Sequence, residues 1–178
     1  MDENLPECQL SLSYMCLLQK WDLAGTYRHL NKSFEIRPTI EYYQSMASTL
    51  VAEGKFKAAL HYIETALQLD PFSPINHHLK GFIFYVEEKY DEAIECFKKS
   101  LSLDSGSKVS VLYLGQALLL LGRSKEALTY FKQLPSDDTE PLMKLGGMTL
   151  AYAQLGDNKQ AEAGIRQLES NLETDSME

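Results

Sequence analysis

The sequence repeats itself with a period of 34 residues. Segments with the same order of polar, apolar and alanine positions begin at Gly54, Glu88, Gly122 and Gly156. Within them, alanine recurs at Ala59, Ala93, Ala127 and Ala161, and a large apolar residue follows at Ile63, Phe97, Phe131 and Ile165. A unit this short cannot bury its own apolar face, so its neighbours must stack against it. The period therefore predicts an array of stacked units with a shared core.

Each unit is predicted to contain two helices. In the first half of a unit, apolar residues recur at helical spacing, as at Val111, Leu114 and Leu118. Ser73 before Pro74 is a helix start signal, because serine caps the first turn and proline fits its first position. Small residues at one place in the first helices allow neighbouring backbones to approach closely. These residues are Ala47, Gly81 and Gly115.

This pattern resembles the tetratricopeptide repeat family, whose repeat is also 34 residues long. In the first copy the family's eight marker positions hold Tyr43, Met46, Ala47, Leu50, Ala59, Ile63, Ala66 and Pro71. The resemblance implies an all-α fold, a right-handed superhelical α-α solenoid of tetratricopeptide repeats. The last copy departs most, since Thr149 replaces the small residue and Gly146-Gly147 lie inside a predicted helix. Each of these glycines is expected to cost ~1 kcal/mol relative to alanine.

The 34-residue frame also divides the chain. We expect a degenerate repeat or N-terminal helical cap, four repeats and a polar tail. The corresponding ranges are 1–39 for the cap, 40–73, 74–107, 108–141 and 142–173 for the repeats, and 174–178 for the tail.

Residues 1–39 contain two helical segments that resemble a degenerate repeat. In this interpretation Trp21 and Ala24 take the places of Phe56 and Ala59, after an offset of one residue. The segment is expected to cap the first good repeat. The alternative is a dimerisation segment, so a homodimer through residues 1–39 is a second hypothesis.

The sequence lacks the motifs of common catalytic and cofactor sites. It contains no P-loop, no GxSxG, no HExxH and no dinucleotide-binding glycine pattern. His77 and His78 are adjacent, so on a helix their side chains diverge by about 100° and cannot share a metal. The cysteines Cys8, Cys16 and Cys96 have no metal-binding spacing and are predicted to be free thiols. The sequence therefore predicts a non-enzyme with no cofactor and no metal.

Charge and hydropathy narrow the class of partner. The net charge of −8 disfavours nucleic acid and anionic lipid, because both repel an acidic chain. The sequence contains no run of 18 apolar residues, so it predicts no membrane-inserted helix. Its acidic N-terminus is unlike a secretory signal. We therefore expect a cytoplasmic protein whose partner is another protein or a peptide.

The resemblance implies a concave groove lined by the second, fifth, ninth and twelfth places of each first helix. The central part of this stripe is largely apolar and aromatic, and a contiguous exposed patch of that kind marks a binding site. The alternative is that adjacent first helices bury much of the stripe between themselves. The candidate partner-binding residues are Gln44, Ser48, Ile75, His78, Phe82, Tyr85, Val109, Leu112, Tyr113, Gln116 and Leu119.

The residue types in this stripe predict what the groove binds. One branch of the family holds acidic C-terminal peptides with a clamp of lysine, asparagine and arginine. Here the clamp is absent, since its places hold Gln44, Ser48, Leu79, Val109 and Tyr113. We therefore predict a non-catalytic interaction scaffold for a peptide or helix with apolar anchors.

Two other functions agree with the same pattern. Bacterial type III secretion translocator chaperones are similar in length, acidity and repeat number, and they carry an N-terminal helical segment. A cytosolic chaperone is therefore one alternative. The other is a regulatory subunit of a larger enzyme assembly.

Overall fold

The computed structural model describes residues 5–135 and 141–175. In these ranges the chain forms ten helices and no strand, which agrees with the all-α prediction. The helices are α1 (Pro6–Lys20), α2 (Leu23–Ile36), α3 (Ile40–Ala52), α4 (Phe56–Leu69), α5 (Pro74–Val86), α6 (Tyr90–Leu103), α7 (Lys108–Leu120), α8 (Ser124–Phe131), α9 (Pro141–Gln154) and α10 (Asn158–Asp175). They belong to two compact units, Met1–Glu87 and Glu88–Glu178.

The helix bounds follow the 34-residue frame closely. Helices α3, α5 and α7 begin at the residues where the first three repeats were predicted to begin, and α9 begins at Pro141, one residue before the fourth. Helix α10 continues to Asp175, two residues into the segment predicted as a tail. Residues 176–178 of that predicted tail lie outside the described residues.

A left-handed residue ends the first helix of each repeat. Gly54, Gly122 and Gly156 have φ angles of 72°, 72° and 76°, and Glu88 takes the same place with φ 62°. These four positions are the starting points of the repeated segments. Glycine adopts this conformation without the steric cost of a Cβ, which explains three of the four. The chain therefore turns at the same place in every repeat, and this place requires a residue with a left-handed backbone.

In the first unit, the core lies between two helical hairpins and α5. Helices α1 and α2 form one hairpin, α3 and α4 form the next, and α5 packs on both α3 and α4. Ala59, Ile63 and Ala66 on α4 are fully buried, as the repeat pattern predicts for the inner face of a second helix. Leu30 of α2 and Ile83 of α5 join the same apolar cluster.

The structure of the N-terminal hairpin contradicts one of the repeat equivalences predicted from the sequence. Trp21 and Ala24 are exposed and do not take the places of Phe56 and Ala59. The buried residues of α2 at the places of Ala59, Ile63 and Ala66 are instead Thr26, Leu30 and Ser33.

The physical reason for this error is a longer first helix. Leu23, the first residue of α2, follows Pro6 by 17 residues, whereas Phe56 follows Ile40 by 16. Relative to the 34-residue frame, the residues of α2 therefore lie one place later than expected, whereas the match of Trp21 to Phe56 had placed them one place earlier. Two of the three inner residues are also hydroxyl residues, so the apolar signal of α2 is weak.

In the second unit, the Phe131 ring lies between glycines of two helices. A Cβ built on Gly115 of α7 or on Gly147 of α9 would lie 2.5 Å from Cζ of this ring. The ring is fully buried. The contact explains why α9 carries a glycine in its interior, since any side chain at Gly147 would displace the ring.

We expect the two adjacent glycines of α9 to respond oppositely to alanine. A Cβ at Gly146 meets no atom within 4 Å, so Gly146→Ala should stabilise the protein by about 0.5–1 kcal/mol through helix propensity. Gly147→Ala should destabilise it by about 1–3 kcal/mol, because the methyl group collides with Phe131. Urea denaturation of both variants measures the difference. Equal effects would contradict the packing of Phe131 described above.

The Phe131 ring also limits the size of the side chain that the position of Gly115 can accept. Gly115→Leu should destabilise the protein by at least ~1–3 kcal/mol, because leucine cannot share the space that the Phe131 ring fills. A melting curve identical to that of the wild type would show that α7 and α8 do not pack in this register.

Candidate partner-binding cleft

Three first helices of the first unit, α1, α3 and α5, lie side by side, with α3 in contact with each of the others. Their shared surface forms a cleft of about 480 Å³, which contains Gln44, Ser48 and Phe82 of the predicted site. The cleft is also lined by Ser13, Tyr14, Leu17, Leu18, Trp21, Ser45, Thr49, Val51, Ala52 and Leu79. The structure thus brings together three of the eleven predicted residues.

Helix α1 supplies the wall that sequence reasoning missed. Tyr14, Leu18 and Trp21 follow one another at spacings of four and three residues, so they lie on one face of the helix and its C-cap. All three side chains are largely exposed. Extending the 34-residue frame back to Pro6 would have found Tyr14, which takes the same ninth place as Ser48 and Phe82.

Three hydroxyl groups of the cleft are hydrogen-bonded within the protein. The Ser48 and Thr49 hydroxyls donate to backbone carbonyls one turn earlier in α3, at 3.0 and 2.8 Å. The Ser13 hydroxyl donates to a carbonyl of α1 at 2.7 Å. No described residue that lines the cleft carries a charge. The surface offered to a partner is therefore chiefly apolar and aromatic.

Gln44 belongs to a structural network at the edge of the cleft. Its Nε2 donates to Oδ1 of Asn76 at 2.6 Å, and Asn76 Nδ2 donates to the Ala66 carbonyl at 3.2 Å. Asn76 is fully buried. Because a buried amide without partners is costly, this network fixes α3, α4 and α5 relative to one another.

The remaining predicted residues of α5 lie outside this cleft. Ile75, in the first turn, is exposed, whereas His78 and Tyr85 are half-buried. Burial lowers the pKa of His78 from its ordinary value to about 4, because removal from water disfavours the imidazolium form. His78 is therefore neutral near pH 7.

The predicted residues of α7 belong to the second unit, and their surroundings differ. Leu112 and Leu119 are only 2% and 4% exposed, so they offer little surface to a partner in this fold. Val109 is exposed, and Gln116 is half-buried. The half-buried Tyr113 ring stacks on Phe97, with 6.0 Å between the ring centroids.

The described residues contain neither a metal-binding cluster nor a helix that could span a membrane. Among them, no group of three or more histidine, cysteine, aspartate or glutamate residues is arranged to hold a metal ion. None of the described helices is both long enough and apolar enough to cross a membrane.

Sequence models of the tetratricopeptide repeat match two overlapping parts of the chain. One matches residues 45–108 and the other residues 86–145. Together they reach from α3 to the first turns of α9. A comparison with curated protein sequences gives no match.

Solved structures with the same fold cover nearly the whole chain. PilW, described as a widely conserved type IV pilus biogenesis factor, is 19% identical with a TM-score of 0.80, covering 96% of this chain and 80% of its own. Pseudomonas aeruginosa PilF is 17% identical with a TM-score of 0.80, covering 93% and 75%. The Naa15/Naa10 complex bound to HypK contains a chain that is 17% identical with a TM-score of 0.66, covering 93% and 25%. These matches confirm the predicted fold class, an all-α helical-repeat solenoid.

The pKa of His78 makes stability depend on pH. Between pH 6.5 and about 4 the unfolded chain binds a proton at this histidine and the folded chain does not, so stability falls as the pH falls. Urea denaturation at pH 7 and pH 5 should show a smaller loss for His78→Gln than for the wild type. His61→Gln, at an exposed position of α4, should retain the wild-type loss. Equal losses in all three proteins would contradict the burial of His78.

Proposed function

This chain belongs to the tetratricopeptide repeat family, and we propose that it is a non-catalytic scaffold that binds a peptide or helix in the cleft between α1, α3 and α5. Repeats of this family serve as protein–protein interaction scaffolds. The proposal adds the place of binding and the chemistry of the bound segment, which carries apolar anchors.

The observation that carries the proposal is the uncharged, apolar lining of the cleft. Phe82, Leu79 and Val51 offer apolar surface on α3 and α5, and Tyr14 and Trp21 provide aromatic surface on the α1 side. Apolar side chains of a partner would leave water here, and the Ser13, Ser48 and Thr49 hydroxyls would keep their hydrogen bonds to backbone carbonyls. Aromatic residues in a concave surface are also typical of binding hot spots.

The same lining disfavours a charged anchor. A carboxylate or ammonium group buried in this cleft would meet hydroxyl groups that already donate to backbone carbonyls. Burial of an unpaired charge is strongly unfavourable. An acidic peptide would also be repelled by a chain with a net charge of −8. The partner therefore inserts uncharged side chains and keeps its own charges at the rim.

A protein partner is also consistent with the comparisons. The Naa15 structure is a complex with Naa10 and HypK. For the present chain, the chaperone and regulatory-subunit interpretations place the same cleft in different assemblies. Both stay predictions, as does the cytoplasmic location.

A photo-cross-linker placed in the cleft tests the proposal directly. We expect benzoylphenylalanine at Ser48, which is exposed in the cleft, to capture a protein partner from an extract of the native host. The same group at Gln68, an exposed residue of α4 outside the cleft, should not capture that partner. Mass spectrometry identifies the cross-linked protein and peptide. Equal capture at both positions would argue against the cleft as the binding site.

Removing one aromatic ring measures its contribution to binding. Phe82→Ala should weaken binding of the captured partner about 30-fold, the effect of losing a contact worth ~2 kcal/mol at the centre of an interface. Phe72→Ala is the matched control, since Phe72 is exposed in the α4–α5 turn and does not line the cleft. Titration calorimetry gives both affinities, and melting curves report folding. Loss of folding in Phe82→Ala would show that this ring is part of the core.

A further inference from the structure

One inner position of the repeat is exposed in the last hairpin. Ile63, Phe97 and Phe131 take this position in the first three repeats, and all three are fully buried. Ile165 takes it in the fourth repeat and is 48% exposed. Because the position is apolar in every copy, Ile165 presents to solvent a surface that the other repeats bury.

In the other repeats, the first helix that follows covers this position. Leu79 of α5 packs against the cluster that contains Ile63. The Tyr113 ring of α7 stacks on Phe97, and a glycine of α9 lies against Phe131. The three covering residues take the sixth place of their repeats: Leu79, Tyr113 and Gly147. The covering helix thus presents the same place to the same inner position each time.

The covering helix also hydrogen-bonds to the end of the helix that it covers. At the third place of its repeat, Asn76 donates from Nδ2 to the Ala66 carbonyl at 3.2 Å. Lys144, at the same place, donates from Nζ to the Leu134 carbonyl at 2.5 Å. The third place of α7 holds a serine that is hydrogen-bonded to a serine of α6. Leu168 takes the place of Ala66 and Leu134 in the fourth repeat.

Helix α9 contributes to the same exposed surface. Leu150 is 49% exposed, and Ala153 is exposed as well. Their counterparts in α3, Ser48 and Val51, line a narrow gap against α5, the helix that follows their own repeat. We call the corresponding surface of the last hairpin the α9–α10 face, and it consists of Leu150, Ala153, Ile165 and Leu168.

Arg166 reverses the charge at the edge of the α9–α10 face. In the first repeat this place holds Glu64, which accepts a hydrogen bond from Lys80 of the covering helix at 3.0 Å. The Arg166 side chain is 69% exposed and lies 4.0 Å from Glu162, beyond hydrogen-bond distance. A carboxylate at the place of Lys80 in a covering helix would therefore pair with Arg166.

We propose that the α9–α10 face binds a helix of a partner protein, in the position that a following repeat gives to its first helix. The interfaces within the chain specify this helix. It places an apolar side chain over Ile165, a hydrogen-bond donor three residues earlier and a carboxylate one residue later.

The described chain does not supply this helix itself. Helices α4 and α6 end at Leu69 and Leu103, after which the chain turns into the next first helix. Asn171 takes the same place in the fourth repeat, but α10 continues without a turn to Asp175. The α9–α10 face therefore lies open to a second molecule.

A second copy of the chain does not meet the requirements either. Helices α3, α5, α7 and α9 each pack on the helix that precedes them, so they are already engaged. Helix α1 has no such predecessor among the described helices, but Cys8 takes its third place when the frame is extended to Pro6. That thiol is buried and is a weak donor. We therefore assign the face to a different protein.

A synthetic copy of α5 provides the probe, because α5 covers an isoleucine at the place of Ile165. The peptide spans residues 73–87, carries the change Lys80→Glu and is held helical by a hydrocarbon bridge between positions 77 and 81. Position 81 matches Gly115, which faces α8 of its own repeat, so the bridge lies outside the contact. The bridge also lowers the entropic cost of ordering the peptide. Fluorescence anisotropy measures its binding to the full chain.

The charge at the edge of the face should decide which peptide binds more tightly. The Lys80→Glu peptide should bind about fivefold more tightly than the peptide with Lys80, the effect of one partly exposed ion pair. In Arg166→Glu the order should reverse. The net charge of −8 by itself would favour the lysine peptide in both proteins. A preference for glutamate in the wild type therefore reports the contact with Arg166.

Substitutions on the face test the apolar contact. Ile165→Asp should weaken binding of the Lys80→Glu peptide at least about tenfold, because the contact would bury an unpaired carboxylate. Ile165→Ala should weaken it in the same direction and serves if the aspartate variant folds poorly. Leu155→Asp is the matched control and should bind like the wild type. Its counterpart Leu121 remains 38% exposed although α9 follows it, so a covering helix does not reach this place.

Three results would overturn the inference. The first is no binding of either peptide to the wild-type chain, and the second is equal binding by the wild type and both Ile165 variants. The third is a wild-type mass that rises with concentration and does not rise in Ile165→Asp, since this would assign the face to a second copy.

The inference is independent of the cleft in the first unit. The protein variant Phe82→Ala should bind the Lys80→Glu peptide like the wild type, because Phe82 lines the cleft and not the α9–α10 face. Loss of peptide binding in Phe82→Ala, with wild-type binding in Ile165→Asp, would place the peptide in the cleft and overturn the inference. Failure of partner capture at Ser48 would count against the cleft alone.

Discussion

The fold depends on large side chains that fill the space beside glycine residues of neighbouring helices, where no side chain is present. Phe131 shows the constraint most directly, because a Cβ at Gly115 or Gly147 would lie 2.5 Å from its ring. In the last hairpin the roles differ, since Thr149 takes the space beside Gly164. Close packing of this kind tolerates no added methyl group without displacement. Gly115, Gly147 and Gly164 are therefore required by the ring or side chain that lies against each of them.

This packing uses one face of each first helix and leaves another face for other contacts. In the first unit the remaining faces of α1, α3 and α5 form the cleft, with Ser48 and Phe82 at equivalent places. The Ser48 and Thr49 hydroxyls of the cleft donate to their own helix, so apolar and aromatic side chains dominate the surface that a partner meets. A surface with these properties suits the holding of an uncharged segment, and its position follows from the same repeat that builds the core.

The accuracy of the sequence predictions varied with how closely each segment keeps the 34-residue spacing. Helices α3 to α7 begin within the predicted frame, because regular spacing and left-handed turn residues are local signals. The inner residues of α2 were predicted incorrectly, since one additional residue before the helix changes which side chains face inward. Tyr14 keeps the 34-residue spacing and was missed because the frame was not extended back to Pro6. One residue corresponds to about 100° around a helix, so a small error in register changes the whole face.

The sequence by itself determined the repeat, the helix pairs, the turn glycines and the small residues that admit large neighbours. All of these depend on spacing along the chain. Only the tertiary structure decided which members of the predicted stripe are accessible. Gln44 and Leu112 take the same fifth place of their repeats, and Val51 and Leu119 the same twelfth, yet Gln44 and Val51 line a cleft whereas both leucines are buried. Exposure depends on what each helix packs against, and that is a property of neighbours in space which a periodic pattern cannot specify.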